Sequence, residues 1–293
     1  MSSKLLILLS LLLIGLTGFV SQASAIERRY EAPMEESRWT ITSASRLICE
    51  MEHIIPNFGK AIFSREAGRK LHLKLVTELN FSDGLDVELV SQSPNWKSLN
   101  EPIKLASLET SGQDMLLNIP GRPARLAYLE LHGGFQPGFF FAKNINLYDS
   151  MTVLMSTVRF RDAESEFEKC VNDLHPHHYN DVKFAKIHFR SDDEFPLMAE
   201  EKTAFIDLLG YLAVDRSIKE IIISGYADHT GSVCYNDVLA SRRAQYVYDL
   251  LVQLGVDPDS LRVDYYGESK PYKNGKTKAD LAANRRVTVE LRR

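Results

Sequence analysis

The sequence predicts a signal peptide followed by two domains: an N-terminal all-β domain with one packed helix, and a C-terminal two-layer α/β domain. Three observations carry that expectation. An apolar leader ends in a small-residue site. Strand-like runs, with apolar alternation at Leu71, Leu73 and Leu75, dominate residues 38–156. Beyond residue 180 the pattern changes to strands alternating with long amphipathic helices.

The leader comes first. Lys4, the apolar run 5–20 and Ala23-Ser24-Ala25 supply the charged, hydrophobic and small-residue sections of a secretory signal peptide over residues 1–25. A retained membrane anchor is the alternative, but the run is short for a span, so cleavage after Ala25 is expected. Ile26 rather than cysteine follows the cut, which argues against lipid attachment. Removing 25 of 293 residues leaves 268, enough for two cores. The formal charge of −4 becomes −5 when Lys4 is lost, and no basic footprint for nucleic acid is seen.

Within residues 26–176, Leu71, Leu73 and Leu75 alternate, and further strand-like runs fall at 87–90, 125–132 and 153–158. Ser82-Asp83-Gly84 and Gly133-Gly134 mark turns. A helix is expected over 162–174, with Ala163, Phe167, Cys170, Val171 and Leu174 on its apolar stripe. Phe139-Phe140-Phe141 reads equally well as core or as a partner-facing surface. His175, His177 and His178 flank Pro176 in a polar linker without evident ligand geometry, so no metal site is expected. Three cysteines in an exported chain imply one bridge and one leftover thiol. Cys49 and Cys170 both point toward a core, whereas Cys234 sits in a polar loop of the other domain. Cys49–Cys170 is the expected disulfide.

Residues 180–293 read as strands near 182–190, 220–227, 262–266 and 286–291, with helices near 199–214 and 236–254. Ala240, Ala244, Val247, Leu251 and Leu254 form the stripe of the second helix, and Gly255 with Pro258 stops it. At about 100° per residue, Arg243 lies beside that stripe, Asn236 lies two turns earlier on the same side, and Arg242 points away. A guanidinium at the core edge is costly without a partner, and its planar fork suits a carboxylate. Asp228, fifteen residues earlier in the loop after the second strand, supplies one. The pair reads either as an internal salt bridge closing the loop or as a site for a ligand carrying both charges.

Asp228, Gly231, Asn236, Leu239 and Arg243-Ala244, with Tyr266-Gly267-Glu268, Pro271 and Asn284-Arg285-Arg286-Val287, form a set that resembles the OmpA-like peptidoglycan-binding domain over about residues 182–293. The resemblance implies that the ligand is the diaminopimelate of the peptidoglycan stem peptide, which bears an ammonium and a carboxylate at its free end. Asp228 would accept the ammonium and Arg243 would fork onto the carboxylate. Asn236 would add a neutral contact, Gly231 would allow close backbone approach, and Arg286 would brace the site from the last strand. Departures are Tyr226-Ala227 where the family most often has His-Thr, Ala240 for a common serine, and Cys234 in the loop. Asp228-His229 invites a hydrolase reading. Yet there is no nucleophile elbow and no zinc motif, and Gly225 to Gly231 lacks the phosphate-loop lysine. No catalytic residue and no cofactor is expected.

Residues 53–64 (His-Ile-Ile-Pro-Asn-Phe-Gly-Lys-Ala-Ile-Phe-Ser), together with residues 160–170, look like the N-terminal domain of the MotY family of flagellar motor proteins. That resemblance implies a periplasmic component of the T ring around the flagellar basal body. Its expected partners are the basal body, MotX, the stator B subunit and the cell wall. The alternative is a general envelope tether with no role in motility.

Overall fold

Side-chain alternation organises the N-terminal half. In β3 (Ile48–Ile55), Cys49, Met51, His53 and Ile55 are buried while the residues between them are more exposed, as a strand with one solvated face requires. The computed structural model describes residues 27–79, 84–94, 96–97, 101–110, 117–145, 148–195 and 198–293. The predicted leader and Ser82-Asp83 lie outside the described residues.

Two five-stranded sheets make up this half. One is antiparallel, in the order β2 (Trp39–Ala44), β3, β4 (Gly59–Glu66), β5 (His72–Thr77), β8 (Leu117–Pro120). The other runs β1 (Glu27–Tyr30), β10 (Tyr148–Leu154), β9 (Gln136–Ile145), β6 (Asp86–Gln92), β7 (Ile103–Glu109), with β1 parallel to β10. Their inner faces share a core with α1 (Arg122–His132) and α2 (Phe160–Asn172). Rings from four elements meet there: Trp39 lies 5.3 Å from Phe160, and Tyr128 lies 5.5 Å from Phe63. Phe139 and Phe141 are 0% and 2% exposed, so both belong to the core.

The run 125–132 is helix, where the sequence reading expected strand. Gly121, at φ 72°, turns the chain out of β8, and Pro123 presets φ in the first helical turn. Ala124, Ala127, Tyr128 and Leu131 then bury one helical face. The first half is therefore mostly β with two packed helices. A disulfide joins Cys49 of β3 to Cys170 of α2, 121 residues apart, with 6.0 Å between Cα atoms. Cys234 is free and exposed.

The second half contains α3 (Tyr179–Val182), β11 (Phe184–His188), α4 (Met198–Leu212), β12 (Glu220–Gly225), α5 (Val233–Gln253), β13 (Leu261–Tyr265), α6 (Lys278–Asn284) and β14 (Arg286–Arg292). Its sheet runs β11-β14-β12-β13, with only β12 and β13 parallel. Leu208 of α4 and Ala244, Val247 and Leu251 of α5 share a second core with Ile187, Ile223, Val287 and Val289 of the sheet. This is a two-layer α/β arrangement. The histidine run between the halves is docked. His175 N–H donates to the Arg46 carbonyl at 2.8 Å, and Arg69 Nη2 reaches Asp181 at 3.1 Å. Among the described residues, no group of three side chains could hold a metal ion, and no helix is long and apolar enough to cross a membrane.

Candidate functional site

The end of β12 sets the site. A Cβ on Gly225 would stand 2.1 Å from the Ala240 carbonyl oxygen, so glycine lets the backbone of α5 lie directly on the strand. One turn further along, Arg243 is carried under the loop that follows the strand. That loop is pinned at its start: Tyr226 N–H donates to the Arg286 carbonyl at 2.9 Å, and Ala227 N–H to the Gly267 carbonyl at 2.8 Å. Asp228 comes next and organises the turn, its Oδ1 accepting from Thr230 N–H at 2.8 Å and from the Thr230 hydroxyl. Ser232 caps α5 by accepting from Tyr235 N–H. The helix therefore starts at Val233, three residues before the expected Asn236, and Cys234 lies in its first turn rather than in a loop.

Asp228 is 4% exposed, and its Oδ2 accepts from Arg285 Nη1 at 2.7 Å. Arg243 is completely buried, and three backbone carbonyls hold it. Its Nε donates to Asp193 at 3.0 Å, Nη2 to Arg190 at 2.9 Å and Nη1 to Tyr226 at 3.4 Å. Its guanidinium carbon sits 5.2 Å from the Phe189 ring centroid. The ion partner of Asp228 is therefore Arg285, not the Arg243 of the internal-bridge reading. Arg285 is in the set of residues that carries the resemblance, but the sequence assigns it no role. It follows α6, a helix that was not anticipated, although Thr277 and Asp280 carry a capping-box signature and do cap it.

Charge in the cluster is finely set. Burial by itself would raise the Asp228 carboxyl, but hydrogen bonds from Thr230 and Arg285 outweigh it and hold the group below the usual carboxylate range. Burial first, and then the neighbouring Arg285 charge, pull the Arg243 guanidinium down to about 10, against the opposing field of Asp228. It stays charged at neutral pH. Besides Asp228, the Asp192 and Asp193 carboxylates also oppose that lowering.

Asn236 is 2% exposed and donates through Nδ2 to Glu268 Oε2 at 2.5 Å. Gly231, at φ 100°, lies against it: a Cβ there would be 3.6 Å from Asn236 Oδ1. The structure thus gathers Asp228, Gly231, Asn236 and Arg243 around one loop. Arg286 stands apart from Asp228. It stacks over the Tyr226 ring at 3.7 Å and donates to the Asn284 and Lys270 carbonyls at 3.4 and 3.3 Å, so it meets the loop at Tyr226. The arrangement offers paired charges of both signs and a buried amide. That is chemistry for holding a dipolar ligand by charge-assisted hydrogen bonds.

Comparison with known proteins follows the same division. Residues 30–176 match the MotY N-terminal domain, and residues 191–285 match the OmpA family. The sodium-type flagellar protein MotY of Vibrio parahaemolyticus is 25% identical over 269 residues, covering 91% of each chain. Outer membrane protein A of Bordetella avium is 32% identical over 111 residues, which are 36% of this chain and 57% of that one. Among solved structures, the peptidoglycan-associated lipoprotein from Burkholderia pseudomallei is 26% identical, covering 37% of this chain and 90% of its own, with a TM-score of 0.34.

Proposed function

The chain belongs to the MotY N-terminal domain family, and from that premise we propose that it is a non-enzymatic periplasmic component of the flagellar motor that grips peptidoglycan through its C-terminal domain. In this reading residues 1–25 are removed as a signal peptide. Residues 26–176 engage the basal body, MotX and the stator B subunit in the T ring, and residues 180–293 tie that assembly to the wall. The reaction torque of the stator is then carried by the wall.

One observation carries the wall-binding part. Asp228 and Arg243, on the segment matching the OmpA family, stand around one loop with Asn236 and Arg285. The diaminopimelate ammonium would replace the Arg285 guanidinium on Asp228. Arg285 would then be free to join Arg243 on the ligand carboxylate.

Sedimentation with insoluble peptidoglycan tests this. The wild-type protein should pellet, folded Asp228→Asn protein should stay in the supernatant, and peptidoglycan whose diaminopimelate carboxylate is amidated should pellet less protein. A folded Asp228→Asn variant that pellets normally would show the site to be wrong. Deletion in a flagellated host separates the motor role from a general envelope tether. Loss of swimming with filaments still assembled supports the motor role, and unimpaired swimming supports the tether.

A further inference from the structure

We propose that the cleft between α1, α2 and the turn joining β4 to β5 is a docking groove for an acidic, partly apolar polypeptide segment of a partner protein. The cleft has a volume of about 670 Å³, and a second hollow of about 260 Å³ continues it, with Arg65, Leu71, Arg125 and Val171 lining both. That is the size range of a ligand pocket.

Its walls are strongly cationic. Arg65 is the penultimate residue of β4, Arg69 and Lys70 lie in the turn, and Arg122 and Arg125 stand one turn apart on α1. Arg69 pairs with Asp181. Arg65, Lys70, Arg122 and Arg125 have no carboxylate partner among the described residues. No carboxylate lines the larger hollow, and Glu168 alone lines the smaller. The whole chain carries a formal charge of −4, so this concentration of positive charge is local. It calls for a negative occupant.

The floor selects the class of occupant. Leu71, Val171 and Leu174 are only partly buried, and Leu129 is 48% exposed. An inorganic anion would neutralise the walls and leave that floor wet. A flat membrane surface could not reach cations set inside a concave cleft. A peptide strand bearing Asp or Glu on one side and apolar residues on the other satisfies both surfaces.

Fluorescence anisotropy on the full mature chain tests the assignment with three probes: a synthetic twelve-residue peptide alternating Glu and Leu, its Lys and Leu counterpart, and phosphatidylglycerol vesicles. The Glu peptide should bind, weaken with added salt, and bind about thirtyfold less well to the Arg65→Glu/Arg122→Glu/Arg125→Glu variant, as expected for three solvent-accessible ion pairs. The corresponding triple Gln variant should move affinity in the same direction, which keeps the test open if the reversed charges impair folding. Sedimentation of either variant with peptidoglycan should match wild type, because these residues lie outside the wall-binding cluster. Failure of the Glu peptide to bind, equal binding of the Lys peptide, or indifference to the substitutions overturns the proposal. So does vesicle binding that the substitutions abolish.

Discussion

Replacing Asp228 by asparagine changes one atom and one charge, and the surroundings set its cost. The side chains of Asp228 and Arg285 are 5% and 17% exposed. A charge-assisted hydrogen bond in such a place contributes roughly 1.5–3 kcal/mol. Removing one partner of a buried pair costs more, about 3–5 kcal/mol, because the other charge is left uncompensated. Here the Arg285 and Arg243 charges would act on each other without the Asp228 carboxylate to offset them, which pushes the cost up. Partial exposure lets Arg285 turn toward water, which pulls it down. Asparagine also keeps an oxygen for Thr230 N–H. The expected loss is about 2–3 kcal/mol, or a midpoint lowered by about 10 °C for a domain of roughly 110 residues. Urea unfolding followed by near-ultraviolet circular dichroism measures it, and sedimentation with peptidoglycan must then be run where the variant remains folded. A stability change below about 0.5 kcal/mol together with unchanged pelleting would refute the charge cluster as both structural and binding element. Arg243→Ala is the poorer probe, since it strips hydrogen bonds from three backbone carbonyls at once and confounds binding with folding.

Two further outcomes follow from the structure. The double substitution Cys49→Ser/Cys170→Ser releases a loop closed across 121 residues and should destabilise the first half by up to about 4–5 kcal/mol on the chain-entropy model; calorimetry of the oxidised protein against the variant measures it. Acidification should weaken the halves in separate windows. Burial holds His53 below its ordinary value, so its contribution is present above about pH 6.5 and lost as pH falls through the folded value, whereas the depressed Asp228 contributes above about pH 3.9 and fails only below it. Thermal midpoints measured across that range, with His53→Gln as the comparison for the first window, should resolve the two steps.

Local period was enough to read faces. The rotation of about 100° per residue put Asn236, Ala240 and Arg243 on the inward side of α5, and all three are buried. It failed at Leu254, which caps the helix and is 54% exposed because the helix ends at Gln253. Residues 125–132 misled because their apolar positions alternate nearly as well as they repeat at helical spacing; Pro123 was the available signal, and it favours a first turn. Both bridging cysteines could be matched because each lies on an inward-facing stripe. The Asp228–Arg285 pair could not be matched that way. It spans 57 residues and depends on how β14 is laid beside β12, and periodicity says which way a side chain points without saying what it meets.

Arg285 and Arg286 explain why that pairing matters for the site. Consecutive residues at the start of an extended segment project to opposite sides, so the same dipeptide sends one guanidinium to Asp228 and the other over Tyr226. The Tyr226 ring lies between Arg286 at 3.7 Å and the stacked Tyr266 at 5.4 Å, and cation–π contact is strongest where it is partly desolvated. The backbone of the same residue accepts from Arg243 and donates to the Arg286 carbonyl. Tyr226 therefore joins the two arginine systems, its ring meeting Arg286 and its backbone carbonyl meeting Arg243. The loop that carries Asp228 is thus tied to α5 and to β14 through the residue two positions before it.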